Sequence, residues 1–571
     1  MSALLATLAA IAIATAQDVP ADPNNGDADG PGRGVARISL VNGDVSIRRG
    51  DSSEMIAGVV NAPVTVGDAV ITGPQSRAEL QFDHSNLLRI GAGADIRLAE
   101  LELRRYMLQL AAGTVTFRVL HNSDAMVELG TPSVAIRPAR KGVYRVTVRS
   151  DGTSEITVRQ GSLDVYTSRG SQVINQGQTM LARGETDPEF QVFTAPYEDE
   201  WDRWNQTRDQ QLEQHSTAYQ YVSPEVYGAE DLDGQGQWVN NANYGQVWTP
   251  AVSNSDWAPY RNGRWVWEDY YGWTWVSYDS WGWAPYHYGR WFWDASYGWC
   301  WWPGARGTHQ YWRPALVGFF GFGSGFGSIG WVPLAPYEPF HAWWGRGIYG
   351  GYRTGGFYSA GFAPGVNLTA VYRNARFEHA ITGVSANQFG RGAVNAQTMT
   401  RVTRGDLMNS GMVRGALPVG PDRASLHAVD RMPRTPSYSQ PSSGSGRFYS
   451  TRPMGSVNRV PFEQQRQAIG SASQGMGGSG GGGWRRVNEP PPVSSYPQPQ
   501  RQASQPQPMR MSPAIVQPRP ASQGYPSAAP QYRPSPSQQQ SRPQAPPPSN
   551  NRGGTGSSGG RSNDRSGGHS H

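Results

Sequence analysis

The sequence predicts an all-β protein: a β-roll or sandwich, then a Trp-rich antiparallel β-repeat module, then a long disordered C-terminal tail. Three observations carry this reading. Short apolar–polar alternations recur between Gly and Asp turns through residues 35–184. Fourteen of the 21 Trp fall between Trp238 and Trp302 and repeat at a fixed interval. Beyond residue 400, Gly, Ser, Pro, Gln and Arg displace the apolar residues that a core would need. With 16% charged residues, 70 Gly and 44 Pro in 571, the composition excludes a chain folded end to end, a coiled coil and a multi-pass membrane protein.

The N-terminus sets the compartment. Residues 3–14 are an apolar run broken only by Thr7, too short to span a bilayer. Ala14-Thr15-Ala16 follows, a small-x-small cleavage signal, then polar Gln17-Asp18. Residues 1–16 therefore read as a secretory signal peptide cut after Ala16, although no Lys or Arg precedes the run. Residues 17–34 are a linker. The mature chain is expected to be periplasmic or extracellular, with no transmembrane segment. Its lone cysteine, Cys300, excludes an internal disulfide and a Cys-based metal site.

Residues 35–184 form the first β unit. Alternating runs include Val45-Ser46-Ile47, Ala78–Phe82, Leu88-Arg89-Ile90, Ile96-Arg97-Leu98, Val115–Val119, Tyr144–Val148 and Glu155–Val158. Apolar residues two apart mark strands with one buried face. Asp151-Gly152 between two such runs signals a hairpin. Pro63–Phe82 contains Gly67-Asp68-Ala69-Val70-Ile71-Thr72-Gly73, then Ser76, Ala78 and Leu80. This resembles the core motif of the FecR domain, the periplasmic domain of iron-dicitrate-type regulators. Gly142–Val146, Gln160–Val165 and Gln176-Gly177-Gln178 resemble its later strands, while Asp83-His84-Ser85 departs from the family's Asp-Gly-Ser turn. The resemblance implies protein or envelope binding outside the cytoplasm, without catalytic residues. The regulators carry an anti-sigma segment and a membrane helix before this domain, where the present chain has a signal peptide.

Residues 196–225 read as a short helix linker, with Trp201, Trp204 and Leu212 at helical spacing as a packing face. The Trp-rich module, residues 226–345, follows. Trp257-Ala258-Pro259-Tyr260 recurs 26 residues later as Trp283-Ala284-Pro285-Tyr286; Gly263-Arg264-Trp265 recurs as Gly289-Arg290-Trp291, and Tyr271-Gly272-Trp273 as Tyr297-Gly298-Trp299. Trp238-Val239 and Tyr244-Gly245 mark a worn copy shifted by 27, so about three units are present. Trp265/Trp267, Trp273/Trp275, Trp281/Trp283, Trp291/Trp293 and Trp299/Trp301 are two-residue pairs, predicting an antiparallel meander with an aromatic ladder on one face.

Three uses of the ladder stay open on sequence grounds: a structural core, a carbohydrate-stacking platform, and a membrane-interface belt. The core reading leads, with exposure expected at the edge copies or at Tyr260 and Tyr286. Tyr260, Arg264, Trp265, Trp273, Trp275, Tyr286, His287 and Arg290 are the candidate ligand-binding residues. The string from Asp256 to Val276, with Trp283–Trp291, resembles a bacterial Trp-rich domain of unknown function that often follows a FecR-like domain. Residues 346–400 look like its irregular end.

Residues 401–571 form the predicted disordered tail, with 20 Arg against 6 acids, about +14; the remainder of the chain is about −8. It reads as a flexible spacer, or as an arm that binds anionic surfaces. No nucleic acid partner is expected outside the cytoplasm. The ten His are spread out, without a close pair in the body, and no nucleophile, zinc or phosphate-loop motif occurs. No catalytic residue, metal or cofactor is predicted. The sequence points to a non-catalytic cell-envelope binding or scaffolding protein, its partner an envelope glycan or an envelope protein. The alternative is an extracytoplasmic sensor component of a FecR-type signalling system; a glycan hydrolase is a distant third.

Overall fold

A computed structural model describes residues 34–185, 187–214, 217–254, 256–323, 326–343, 362–377, 379–433, 448–452, 459–467 and 469. The expected signal peptide and nearly all of the 17–34 linker lie outside these residues, as does most of the tail. The described part is mostly β, as the alternations require.

The first unit holds seventeen strands, β1 (Ala36–Asn42) to β17 (Glu189–Thr194). They pair into two layers that share the long strand β9 (Arg105–Val119). Its first half pairs with β8 (Asp95–Glu102) and β10 (Met126–Gly130); its second half pairs with β7 (Asn86–Ile90) and β12 (Gly142–Val148). The crossing lies at Gly113, whose φ of 85° suits glycine and whose missing Cβ would sit 2.5 Å from the Ala94 backbone. Leu80, Leu88, Ile90, Leu108, Val115 and Ile156 are buried between the layers. Asp151-Gly152 turns the hairpin between β12 and β13 (Ser154–Gln160), Gly152 having φ 80°.

Side chains of the Gly-Asp-x-x-x-Thr-Gly motif hold turns. The Asp68 carboxylate accepts from the Thr65 and Gly50 amides, both at 2.8 Å, and the Thr72 hydroxyl donates to the Gly91 carbonyl at 2.5 Å. Ser76 accepts from the Asp44 amide at 2.8 Å.

Helix α1 (Glu200–Gln214) lies on the second layer. Trp201 Nε1 donates to Thr116 at 2.8 Å, and Leu212 packs with Leu87 and Leu120. An ion network fastens the helix. Arg89 and Arg208 both pair with the buried Glu79 at 2.9 Å, and Arg89 also reaches Asp209 at 2.6 Å. Burial pushes the Glu79 carboxyl up, but Arg208 and Arg89 outweigh it and hold it down at about 2.

Three hairpins of the Trp-rich module match the three sequence copies. They are β18 (Gly236–Asn241) with β19 (Gly245–Pro250), β20 (Gly263–Glu268) with β21 (Gly272–Ser277), and β22 (Arg290–Asp294) with β23 (Gly298–Trp302). Each places equivalent Trp opposite one another: Trp238 and Trp248, Trp265 and Trp275, Trp291 and Trp301. The turn glycines Gly245, Gly272 and Gly298 all have positive φ, between 63° and 75°.

The predicted continuous meander is not what forms. The outer two hairpins join one four-stranded sheet through Trp248 and Trp301, while the middle hairpin is a separate two-stranded sheet. Between hairpins two and three, Ala284–His287 is a single helical turn capped by Trp283, with Pro285 inside it. Proline has no amide to give to a ladder, so Trp281/Trp283 cannot extend the sheet.

The boundaries at residues 346 and 401 also change. A five-stranded sheet runs β26 (Phe362–Val366), β28 (Ser410–Val413), β24 (Val317–Phe322), β25 (Ser328–Pro333), β27 (Thr382–Ser385). Three of its strands come from the stretch read as irregular end and tail. Met412, Val413, Leu417 and Leu426 are buried despite the low apolar density around them. Gly411 pairs with Gly321 in this sheet, so glycine here serves close strand approach and not only flexibility.

Candidate functional site

The eight candidate ligand-binding residues lie together, and the structure buries seven of them. Tyr260, Trp265, Trp275, Tyr286 and His287 are 0% exposed, Arg264 and Trp273 2%, and Arg290 is half-buried. The exposure expected at Tyr260 and Tyr286 is therefore corrected. Tyr260 has φ 63°; its hydroxyl donates to the Tyr286 carbonyl at 2.8 Å and accepts from the Leu316 amide at 3.0 Å. Tyr286 donates to Asp279 at 3.0 Å. These bonds satisfy the phenols inside the body, which is why a Tyr beside a Pro need not seek solvent. The edge copy is where exposure occurs: Trp293 is 40% exposed, against 5% for its counterpart Trp267.

The rings meet edge to face. Trp265 contacts Trp275 at 5.3 Å and Trp331 at 5.5 Å, and Trp273 contacts Trp267 at 5.4 Å and Phe389 at 4.8 Å. Arg264 spans out of this core: it donates to Asp430 at 2.6 Å and to the carbonyls of Arg391 and Ala424 at 2.9 and 3.0 Å. His287 donates Nδ1–H to the Arg313 carbonyl at 2.7 Å and stacks on Trp312. Burial pushes its imidazole down to about 3, so it is neutral and a poor general base at neutral pH. Cys300 is likewise inert, its thiol pushed up to about 12 by burial. A cavity of about 250 Å³ opens beside Trp265, lined also by Val384, Phe389, Gly390 and Val394.

What sequence reasoning missed is the junction between the first β unit and the Trp-rich module. It is built from charges, and the residues sit about 200 positions apart. Arg37, 0% exposed, donates to Gln81 at 2.7 Å, to Glu230 at 3.1 Å and to Asp231. Tyr219 donates to the other Glu230 oxygen at 2.6 Å. A second buried pair joins Arg49 to Glu268 of β20, and Asn61 donates to the Asp279 carbonyl at 2.8 Å. Burial pushes Glu268 up to about 8; Arg49 opposes this, and Asp68 and Asp51 add to it. Glu230-Asp231 reads as a turn pair in sequence, and nothing local distinguishes it from a solvated one.

Two histidines spread apart in sequence also meet here. His84 stacks on His121 with ring centres 4.3 Å apart, and Tyr219 lies 4.0 Å from the His84 ring. Burial, then the neighbouring His121, pushes His84 down to about 4, against the pull of Glu230 and Asp83. The unfolded chain takes this proton near 6.5 and the folded chain does not until about 4. Its contribution to stability is thus complete above about pH 6.5 and is lost as the pH falls through that window. Glu268 acts with the opposite sign, so the informative quantity is a difference. The thermal midpoint of the parent minus that of His84→Phe should be constant above about pH 6.5 and fall steadily toward about pH 4.5. A pH-independent difference would contradict this placement of His84.

Among the described residues no group of three or more His, Cys, Asp or Glu could hold a metal ion, and no helix is long and apolar enough to cross a membrane.

Residues 68–164 match the family model described as FecR protein, and residues 229–338 match the Family of unknown function (DUF6600). No curated protein matches the chain. Two solved structures of a candidate anti-sigma factor from Parabacteroides distasonis ATCC 8503 are similar at 12% identity. One has a TM-score of 0.20, covering 22% of this chain and 59% of its own; the other has 0.21, covering 32% and 99%.

Proposed function

We propose that a chain joining a FecR segment to a segment of that second family works as an exported, non-catalytic binding component of the cell envelope. The observation that carries this reading is the fusion of the two units through the buried Arg37–Glu230 ion pair and the Arg49–Glu268 hydrogen bond, with the aromatic ladder as interior. Among the described residues, the polar groups of the aromatic ladder are enclosed and turned to internal partners. Tyr260, Tyr286, His287 and Cys300 are held neutral and internally bonded, which is the reverse of what a hydrolytic site needs. The buried ladder supports the core use of the Trp residues over a stacking platform. A protein partner in the envelope fits this body better than a glycan.

Fractionation of the native host tests the proposal. The protein should leave the cytosol, and mass spectrometry should find Gln17 at its N-terminus. An intact residue 2–16 segment in the cytosolic fraction would overturn export and the envelope role with it.

The FecR match favours one second reading, a sensor component of a FecR-type system. Deleting the gene should then change transcription from a sigma-dependent promoter in the same host, whereas a scaffold leaves that transcription untouched.

A further inference from the structure

Among the described residues, β17 pairs with β16 (Gln178–Arg183) and with no other strand, so it is an edge of the second layer. All six of its side chains are exposed. Three of them are large and apolar: Phe190 and Phe193 are 43% exposed and Val192 is 40%. Phe190 stands opposite Ala182 and Val192 opposite Met180, and both of those partners belong to the core. The apolar row of the interior therefore continues onto β17 and stops at solvent. Edge strands are ordinarily blunted by Lys, by central charges or by prolines. This one carries a single charge, Glu189, at its first position, where Arg183 of β16 holds it at 2.9 Å.

The edge has a defined polarity. The Ala195 amide, just after the strand, turns inward to the Gly177 carbonyl at 2.8 Å. Backbone groups alternate along a strand, so those of Glu189, Gln191 and Phe193 also face β16, and those of Phe190, Val192 and Thr194 face outward. A two-fold axis perpendicular to the sheet at Gln191 sets Phe190 of one copy opposite Val192 of a second copy, twice. Both residues face outward, so each such pair exchanges two N–H···O bonds. The apolar row then runs unbroken from one core to the other: Ala182 and Phe190 of the first copy, Val192 and Met180 of the second. The two Glu189 carboxylates fall at opposite ends, about 14 Å apart, beyond the screening length of about 8 Å at physiological salt. Centring the axis on Val192 instead puts Phe190 opposite Thr194 and Phe193 opposite Gln191, which leaves both rings without an apolar partner.

We propose that two copies of this chain associate through β17 as an antiparallel β-edge dimer, in the register centred on Gln191. Two six-residue strands give an interface at the low end of the size range, below about 1,200 Å². The dimer is therefore reversible and concentration-dependent. It makes the second layer of one copy continuous with that of the other, and it presents any envelope partner with two bodies at once. The inference goes beyond the reading of a binding component, and its test is independent of export.

Sedimentation of the full chain from about 1 to 100 μM should show a monomer–dimer equilibrium. Val192→Pro tests the ladder, because the amide it removes faces outward and is not used in the pairing with β16. It should weaken the dimer at least about tenfold, since a bond is lost at each of the two symmetric sites. Phe190→Lys leaves the backbone intact and should weaken the dimer as well. The register is read by cross-linking. The two Gln191 residues meet at a non-hydrogen-bonded position, about 4.5 Å between Cα atoms and within disulfide reach. Gln191→Cys should therefore link to itself on mild oxidation with diamide, while Glu189→Cys should not; Cys300, 0% exposed, stays out of the reaction. A chain that remains monomeric throughout the series, a dimer that survives both Val192→Pro and Phe190→Lys, or equal cross-linking of Gln191→Cys and Glu189→Cys overturns the proposal.

Discussion

Trp273→Ala should lower the stability of the body by about 3–5 kcal/mol, the cost of emptying a large buried site that cannot collapse. Trp273 is 2% exposed; its indole donates to the Val419 carbonyl at 3.2 Å, and its own carbonyl accepts from Trp343 at 2.8 Å. The ring also lies against Gly390, where a Cβ would overlap it, so the neighbouring backbone is shaped to this side chain. Against a typical domain stability of about 5–15 kcal/mol, the loss should be plain in a thermal or denaturant melt. A midpoint that stays fixed while sugar binding disappears would instead mean that the ring stands on an exposed platform.

Arg49→Met should cost a similar amount, about 3–5 kcal/mol, for a different reason. Arg49 lies among Asp51, Asp68 and Glu268, and its removal leaves Asp51 without its ion-pair partner and Glu268 without its hydrogen-bond donor. Glu268→Gln should be far milder, about 1 kcal/mol, because burial already favours the neutral form of that carboxyl. The sign of its pH effect follows. Glu268 holds its proton up to about 8 when folded and only to 4.5 when unfolded, so its contribution is complete below about pH 4.5 and is lost as the pH rises through about 8. Glu268→Gln should remove that dependence. Denaturant melts of both variants at pH 6 and 8.5 check the pair; equal costs for the two substitutions would show that the cluster is not short of positive charge.

The strands of the first unit were legible because a half-buried strand writes its face into every second residue, as at Tyr144, Val146 and Val148. The Trp repeat was legible because equivalent turns reuse the same glycines, and the cross-strand Trp pairs fall at the predicted interval of 26. The helix around Trp201 was visible from its spacing, and its Trp face does pack. The candidate site was legible as a cluster and not as a surface. Residue type places Tyr260 and Tyr286 near one another but does not say whether their hydroxyls meet water or a carbonyl.

By itself, then, the sequence determined the all-β class, the order of a FecR segment and a Trp-rich segment, and the repeat, since each is encoded in periodicities shorter than about thirty residues. Tertiary structure alone decided the pairing. β1 and β2 (Val45–Arg48) adjoin one turn, yet they go to different layers, β1 to β6 (Arg77–Gln81) and β2 to β5 (Ala69–Thr72). It decided that the ladder is interior, that Arg37 meets Glu230, that Thr451 returns to Glu128 and that Arg459 lies over Gly50 and Gly67 of the first unit. The reason is that pairing and burial depend on residues brought together across hundreds of positions. A charged or Gly-rich stretch carries no local mark of the distant partner that will neutralise or cover it.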